Sequence, residues 1–205
     1  MMSSINGCFS SKQKPYTLKA NMLKFVNEKY NMEFIPTYFA MDKGSAHLIV
    51  YPKGGDREKD SFKVIRQKNR DTGEYEIKDT YTAIMMAPKY KAKLEELLKP
   101  YFENYLVEVR ADMCVLPNDF VVDDDFQEVL DKKVKYVPHV DIRVTRSSDT
   151  VDDFNRKVDE FYNSVSENHV SGHILVVYLK NKEVNREIMA NDEEYDGRKY
   201  LTIEN

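Results

Sequence analysis

The hydrophobic positions in the first third of the chain predict one helix followed by a run of short strands. Apolar side chains recur at intervals of three and four residues, the spacing of an amphipathic helix: Leu18, Met22, Phe25 and Val26. Thr17 can cap the start of this helix, and Asn31 can form its left-handed exit. Segments rich in β-branched and aromatic residues follow at 34–40, 47–51, 62–66 and 74–82, separated by turn-forming Gly and Asp. This order predicts an antiparallel meander.

A second helix is predicted to begin at Pro88, since proline suits the first helical position. Its apolar stripe consists of Tyr90, Leu94, Leu97, Leu98 and Tyr101. Pro100 lacks a backbone donor, so the helix should end or kink by Lys99. A strand is expected at 105–109.

The remaining pattern predicts a βαβ unit. Residues 139–145 alternate between apolar and polar side chains, as in a strand with one buried face. Thr150 and Asp153 open a strongly amphipathic helix, and the apolar run at 174–179 is typical of a central strand buried on both faces. A short helix at 123–130 precedes this unit, and an amphipathic segment at 183–189 and a strand at 201–203 follow it. The predicted fold class is therefore α+β: an N-terminal helix with an antiparallel meander and a packing helix, then a C-terminal βαβ-like half.

Charge divides the chain more sharply than its net value of −4 suggests. Residues 12–111 carry a net charge of +5, and residues 112–205 carry −9. The change of sign near Pro117 predicts two subdomains. We expect residues 1–15 to be a disordered lead-in or tether, 16–117 an α+β subdomain, and 118–205 an acidic α/β subdomain.

Composition excludes several classes of protein. Hydrophobic residues make up 41% of the chain, enough for a packed core, yet no apolar run approaches the roughly 18 residues of a membrane-spanning helix. The mild acidity argues against a nucleic-acid partner, which would require a basic face. Membrane contact is expected only through a lipid anchor.

The histidines offer only a weak case for a metal site. His169 and His173 would lie roughly 13 Å apart if both were in one strand, too far to share a zinc ion. His139 and Asp141 would share a strand face about 6.6 Å apart but lack a third ligand. A solvated sheet face, with Arg143 pairing Asp141, is the favoured interpretation.

Other candidate motifs also have structural explanations. The acidic run Asp123–Asp125 lacks the central glycine of an EF-hand and is better explained as a helix N-cap. The segment 53–56 lacks P-loop spacing and predicts a hairpin turn. Cys114 is interpreted as a small buried hydrophobe. We therefore predict no catalytic residues, no cofactor and no metal ligand, and we expect a non-enzymatic protein.

Cys8 is the most informative single residue. Ile5, Asn6 and Gly7 precede it, and two of these three fit the motif at which bacterial lipoproteins are lipidated. The apolar part of a signal peptide is absent upstream, so the sequence either starts inside its own signal or belongs to a cytosolic protein. The first interpretation makes Cys8 a lipid-attachment site.

Part of the chain resembles small uncharacterised lipoproteins of low-GC Gram-positive bacteria. The resemblance rests on 51–56 (YPKGGD), on Lys59-Asp60 and Phe62-Lys63-Val64, and on four flanking patterns: Glu28-Lys29-Tyr30, Glu33-Phe34, Asp79-Thr80-Tyr81 and Lys99-Pro100-Tyr101-Phe102. It covers about residues 16–118. It implies a secreted, lipid-anchored protein and supplies no catalytic residues.

Three functions follow as hypotheses. The first is an extracellular, lipid-anchored surface protein that acts as a binding or interaction module for an unknown protein or small ligand. The second is a cytoplasmic immunity-type protein whose acidic half covers a basic toxin. The third is a metal-dependent hydrolase that uses His139 and Asp141.

Overall fold

The computed structural model describes residues 14–120, 123, 125–132, 134–145, 150–179 and 195–203. These residues form a mixed α+β fold, as predicted. The helices are α1 (Pro15–Tyr30), α2 (Tyr81–Leu98), α3 (Phe126–Asp131) and α4 (Val151–Glu167). The strands are β1 (Phe34–Asp42), β2 (Ser45–Pro52), β3 (Phe62–Lys68), β4 (Tyr75–Asp79), β5 (Tyr105–Arg110), β6 (His139–Thr145), β7 (Gly172–Leu179) and β8 (Tyr195–Ile203).

The described residues group into two compact units. Unit 1 contains residues 14–82 and 117–120, and unit 2 contains residues 83–116 and 123–203. This grouping differs from the sequence-predicted division at residue 117, because most of α2 and all of β5 belong to unit 2 and a short later segment returns to unit 1. The predicted lead-in and lipid tether, residues 1–15, lies almost wholly outside the described residues.

Unit 1 consists of α1 against an antiparallel sheet in the order β1-β2-β3-β4, which confirms the predicted meander. Alternate residues of β2 are buried (Ala46, Leu48 and Val50), as are Leu18, Met22 and Val26 of α1. The helix begins at Pro15, and Thr17 does not cap it. Asn31 adopts the predicted left-handed exit, with φ at 48°.

Helix α2 shows why proline alone is a poor guide to a helix start. The prediction that it begins at Pro88 is wrong, because α2 begins at Tyr81 and Pro88 lies in its interior. Asp79 Oδ1 accepts a hydrogen bond from the Tyr81 backbone N–H at 3.0 Å and so caps the first turn, where a strand was predicted. Burial of Met86, Tyr90 and Leu94 on one side offsets the roughly 3 kcal/mol that an interior proline costs. The helix ends at Leu98, just before Pro100, as predicted.

Unit 2 is built on a mixed sheet in the order β5-β6-β7-β8. The central pair β6–β7 is parallel and is joined through α4, which confirms the predicted βαβ unit, and both outer pairs are antiparallel. Thr150 and Asp153 form the predicted capping box at the start of α4. This helix buries its apolar side: Phe154, Val158, Phe161 and Val165.

The two faces of β7 are not equivalent, so the prediction that this strand is buried on both faces is wrong. Ile174, Val176 and Tyr178 are buried, whereas the alternate residues His173, Leu175 and Val177 are only half-buried. The continuous apolar run obscures this difference, because Leu175 and Val177 occupy positions on a partly solvated face. The predicted amphipathic segment 183–189 lies outside the described residues.

Gly172, at the start of β7, lies against the hydroxyl of Tyr90 from α2. Tyr90 Oη donates a hydrogen bond to the Ser171 carbonyl at 2.8 Å. A Cβ atom at Gly172 would lie far closer to that hydroxyl oxygen than van der Waals contact allows. Only glycine therefore allows the buried tyrosine to reach the backbone at the start of β7.

Candidate functional site

The outer face of the second sheet gathers polar side chains from all four of its strands. We use "outer face" for the side of this sheet opposite its buried residues Val140, Ile142, Ile174 and Val176. Strand register places the following residues on it: Leu106, Glu108, Arg110, His139, Asp141, Arg143, His173, Leu175, Val177, Arg198, Tyr200 and Thr202. The three candidates that the sequence places on one face of strand β6, His139, Asp141 and Arg143, all lie on the outer face. Residues from β5 and β8 join them there, and the sequence did not reveal these neighbours.

The structure brings His139 next to His173, whereas the sequence suggested only Asp141 as its neighbour on the sheet face. The two histidines are in register on the parallel strands β6 and β7, and their ring centroids are 5.2 Å apart with an interplanar angle of 35°. Thr202 Oγ1 lies 3.5 Å from His173 Nδ1. His169 stands apart in the turn before β7, with φ at 57°. The spacing of the histidines along the chain could not reveal this pair, because the register of a parallel crossover is set by tertiary packing.

The ion pairs of the outer face cross between β5 and β6. The predicted pair of Arg143 with Asp141 is wrong: Asp141 Oδ2 accepts from Arg110 Nη2 at 2.9 Å, and Arg143 Nη1 lies 3.5 Å from Glu108 Oε2. Both pairs run diagonally across the antiparallel strands, since Arg110 is opposite His139 and Arg143 is opposite Leu106, a separation that a long arginine side chain can span. The four charges balance locally.

Exposed groups complete the outer face. Tyr200 is 68% exposed, and the guanidinium carbon of Arg198 lies 5.9 Å from the centroid of its ring. Half-buried Leu175 and Val177 lie beside them on β7. With His neutral, the three arginines outnumber the two acids, so the outer face carries a net positive charge.

Unit 2 also contains a small cavity of about 220 Å³, lined by Phe126, Val129, Leu130, Val134, Tyr136, His169 and Ser171. Its lining is mainly apolar. The Tyr136 hydroxyl donates to the Ala83 carbonyl at 2.8 Å, and burial raises the pKa of this phenol above its usual range. The hydroxyl is therefore a neutral donor that is already engaged with the backbone, and it is unsuited to acid–base chemistry at neutral pH.

The remaining sequence candidates have structural roles. Burial raises the pKa of the Cys114 thiol to about 11, so at neutral pH it is protonated and a poor nucleophile; the side chain is half-buried. Asp125 caps α3 through the Gln127 backbone N–H, as the N-cap interpretation predicts. Residues 53–56 form a turn with Gly54 at φ 89°. Cys8 lies outside the described residues.

Unit 1 holds a buried polar cluster around Asp79 that the sequence did not reveal. The Asp79 carboxylate accepts from Lys29 Nζ at 2.9 Å and from Tyr30 Oη at 2.6 Å, in addition to the capping bond from Tyr81. Burial and the negative charge of Asp79 both raise the pKa of Tyr30. Asn118 Nδ2 donates to the Ile77 carbonyl at 2.9 Å, which ties the returning segment to β4. These bonds fix the end of α1 to the start of α2.

Arg66 is the other buried charge of unit 1. It is 6% exposed, and its guanidinium carbon lies 3.6 Å from the centroid of the Tyr75 ring. Its Nε and Nη2 atoms are buried and have no hydrogen-bond partner among the described residues. Stacking on Tyr75 only partly offsets the cost of desolvating this charge.

Among the described residues, no group of three or more His, Cys, Asp and Glu side chains is arranged to hold a metal ion, and no helix is long and apolar enough to cross a membrane. No family model matches the chain, and no curated protein matches it. One solved structure that is similar is a DUF5037 family protein from Ruminococcus gnavus ATCC 29149. It shares 16% identity over 80% of this chain and 76% of its own, with a TM-score of 0.44.

Proposed function

We propose that this chain is a non-enzymatic binding module that docks a segment of a partner protein on the outer face of its second sheet. One observation carries the proposal: a strand-built surface presents arginines, an exposed tyrosine and aliphatic side chains next to one another. Arginine and tyrosine are enriched among the residues that dominate binding energy at protein interfaces. A sheet held on its other side by a packed helix also loses little conformational entropy on binding.

Local charge favours an acidic partner segment. Arg110 and Arg198 are exposed at opposite edges of the outer face, whereas the Asp141 carboxylate between them is bound by Arg110. Acidic side chains of a partner could pair with these arginines, while an aromatic or aliphatic side chain covers Tyr200 and Leu175. This basic surface is poorly matched to a basic toxin, so the binding-module proposal is preferred to the immunity-type alternative.

We further propose that the module is secreted and anchored to the cell surface by a lipid on Cys8. The support is the near-match of residues 5–8 to a lipidation motif and the resemblance of residues 16–118 to Gram-positive lipoproteins. Mass spectrometry of the native gene product is expected to find a diacylglyceryl group on Cys8 and the protein in the membrane fraction. An unmodified Cys8 in a cytosolic protein would refute the anchor.

Selection from a displayed peptide library tests the docking surface. Wild-type protein is expected to enrich peptides that combine Asp or Glu with an aromatic residue. Binding of the enriched peptides should weaken by about 30-fold, or 2 kcal/mol, in Tyr200→Ala and in Arg110→Ala, the size of an interface hot spot. Tyr38→Ala is the matched control, because Tyr38 is an equally exposed tyrosine, at 60%, on the first sheet. Enrichment of basic peptides, or equal weakening by all three variants, would refute this docking surface.

A further inference from the structure

His139 and His173 are the only pair of histidines that the strand register places side by side among the described residues. Both lie on the outer face, on adjacent parallel strands, and His139 is solvent-exposed. Imidazole nitrogen is a preferred ligand of zinc and of other divalent ions of the first transition row. The pair therefore brings two suitable donors to one accessible point.

The separation of the rings matches a shared tetrahedral ion. A metal–nitrogen bond of about 2.1 Å, with the ring centre about 1.1 Å behind the nitrogen, puts each centroid about 3.2 Å from the metal. Two such rings at a tetrahedral angle have centroids about 5.2 Å apart, and at a right angle about 4.5 Å apart. The observed centroid separation is 5.2 Å. The separation is thus compatible with both rings binding one ion at a tetrahedral angle.

The surroundings of the pair support metal binding. Thr202 Oγ1 lies 3.5 Å from His173 Nδ1, where it can accept from that nitrogen and leave Nε2 for the ion. An acceptor on the second nitrogen is the usual companion of a metal-bound histidine. Arg110, which is opposite His139 on β5, is paired with Asp141 at 2.9 Å, and this pairing reduces the repulsion between its charge and a bound dication.

We propose that His139 and His173 form a two-histidine site for a tetrahedral divalent ion, Zn²⁺ foremost. Water fills the other two coordination positions, or a carboxylate of a bound molecule does so. With two protein ligands the site binds more weakly than a four-ligand structural zinc site. It shares the outer face with the proposed docking surface but is measured without any partner, so either proposal can fail while the other stands.

Zinc titration of the metal-stripped full chain, in competition with a chromogenic chelator, tests the site. We expect one ion per chain in the wild type. His139→Ala and His173→Ala should each lose more affinity than the roughly 10- to 100-fold that outer-shell changes cause, and Thr202→Val should lose about 10-fold. The two other histidines of the chain provide matched controls, and His47→Ala and His169→Ala should bind zinc as the wild type does. Cys8→Ser should also leave zinc binding unchanged.

Two readouts keep the test independent of folding. Thermal unfolding of the metal-free variants establishes that each alanine variant is folded before its affinity is compared. Co²⁺ in place of Zn²⁺ should give the intense visible absorption of a tetrahedral site in the wild type. Zinc binding that survives in both His139→Ala and His173→Ala, the weak spectrum of octahedral Co²⁺, or no zinc binding by the wild type would each overturn the proposal.

Discussion

Gly172→Ala is predicted to destabilise unit 2 through a single atom, the hydroxyl oxygen of Tyr90. The added methyl group would occupy the space that this oxygen now fills while it donates to the Ser171 carbonyl. Either the tyrosine ring must withdraw and lose its hydrogen bond, or the start of β7 must move. Both responses disturb a buried region, because Tyr90 and Ile174 are almost fully buried.

The magnitude follows from two contributions. Overpacking a closely packed core by one methyl group costs about 1–3 kcal/mol. Loss of the Tyr90 hydrogen bond adds about 1 kcal/mol. We therefore expect Gly172→Ala to lower the free energy of unfolding by about 2–4 kcal/mol.

A double-mutant cycle isolates the proposed cause. Tyr90→Phe alone should cost about 1 kcal/mol, since it removes only the hydrogen bond. When Gly172→Ala is added to Tyr90→Phe, the further loss should be below about 1 kcal/mol, which gives a coupling free energy of about 1–3 kcal/mol. Urea unfolding supplies all four values, with the slopes compared to verify that the same transition is measured.

Gly197→Ala is the matched control for the cycle. This glycine lies on the neighbouring strand β8, and an added methyl would meet Phe154 at 3.4 Å, close to an ordinary contact. It should cost less than Gly172→Ala and show no coupling to Tyr90→Phe. Equal losses from Gly172→Ala in the Tyr and Phe backgrounds would refute the reasoning.

Three further predictions concern buried charges and the free thiol. Asp79→Asn leaves Lys29 as an uncompensated buried cation and should lower the free energy of unfolding by about 3–5 kcal/mol; a loss below 1 kcal/mol would contradict the role of the cluster. Arg66→Met removes a buried, incompletely bonded guanidinium and keeps an apolar chain over Tyr75, so stability in urea should be unchanged or rise by up to about 4 kcal/mol; a clear loss would contradict this. Cys114 has a folded pKa of about 11 against 9.0 for an unperturbed thiol, so its contribution to stability is present below pH 9 and declines as the pH rises towards 11. Unfolding of the wild type and of Cys114→Ser across this range measures that decline, and parallel profiles would exclude it.

Local chemistry explains what the sequence predicted well. The strand at His139–Thr145 and the helix that begins after Thr150 each follow from a pattern within about ten residues: strict alternation in the first, and a capping box before an amphipathic stripe in the second. Asn31 ends α1 for an equally local reason, since asparagine tolerates the left-handed conformation.

Features that depend on contacts between residues far apart in the sequence could not be predicted from such local patterns. Pro88 resembles a helix start until the burial of Met86 and Tyr90 on the same helix is known. The His139–His173 pair joins residues on two strands separated by a whole helix, and no spacing rule fixes that register. Asp79 likewise looks like an ordinary strand residue, although its partners come from α1 and α2.

The return of residues 117–120 to unit 1 has a consequence for biosynthesis. Asn118 and Phe120 bond to Ile77 and Thr82, so the first unit is incomplete until the ribosome has passed residue 120. By then β5 has already been made, while its partner β6 has not. A gene fragment that stops at residue 117 encodes neither Asn118 nor Phe120. In the intact protein, a single proteolytic cut between β5 and residue 117 leaves both fragments contributing residues to unit 1.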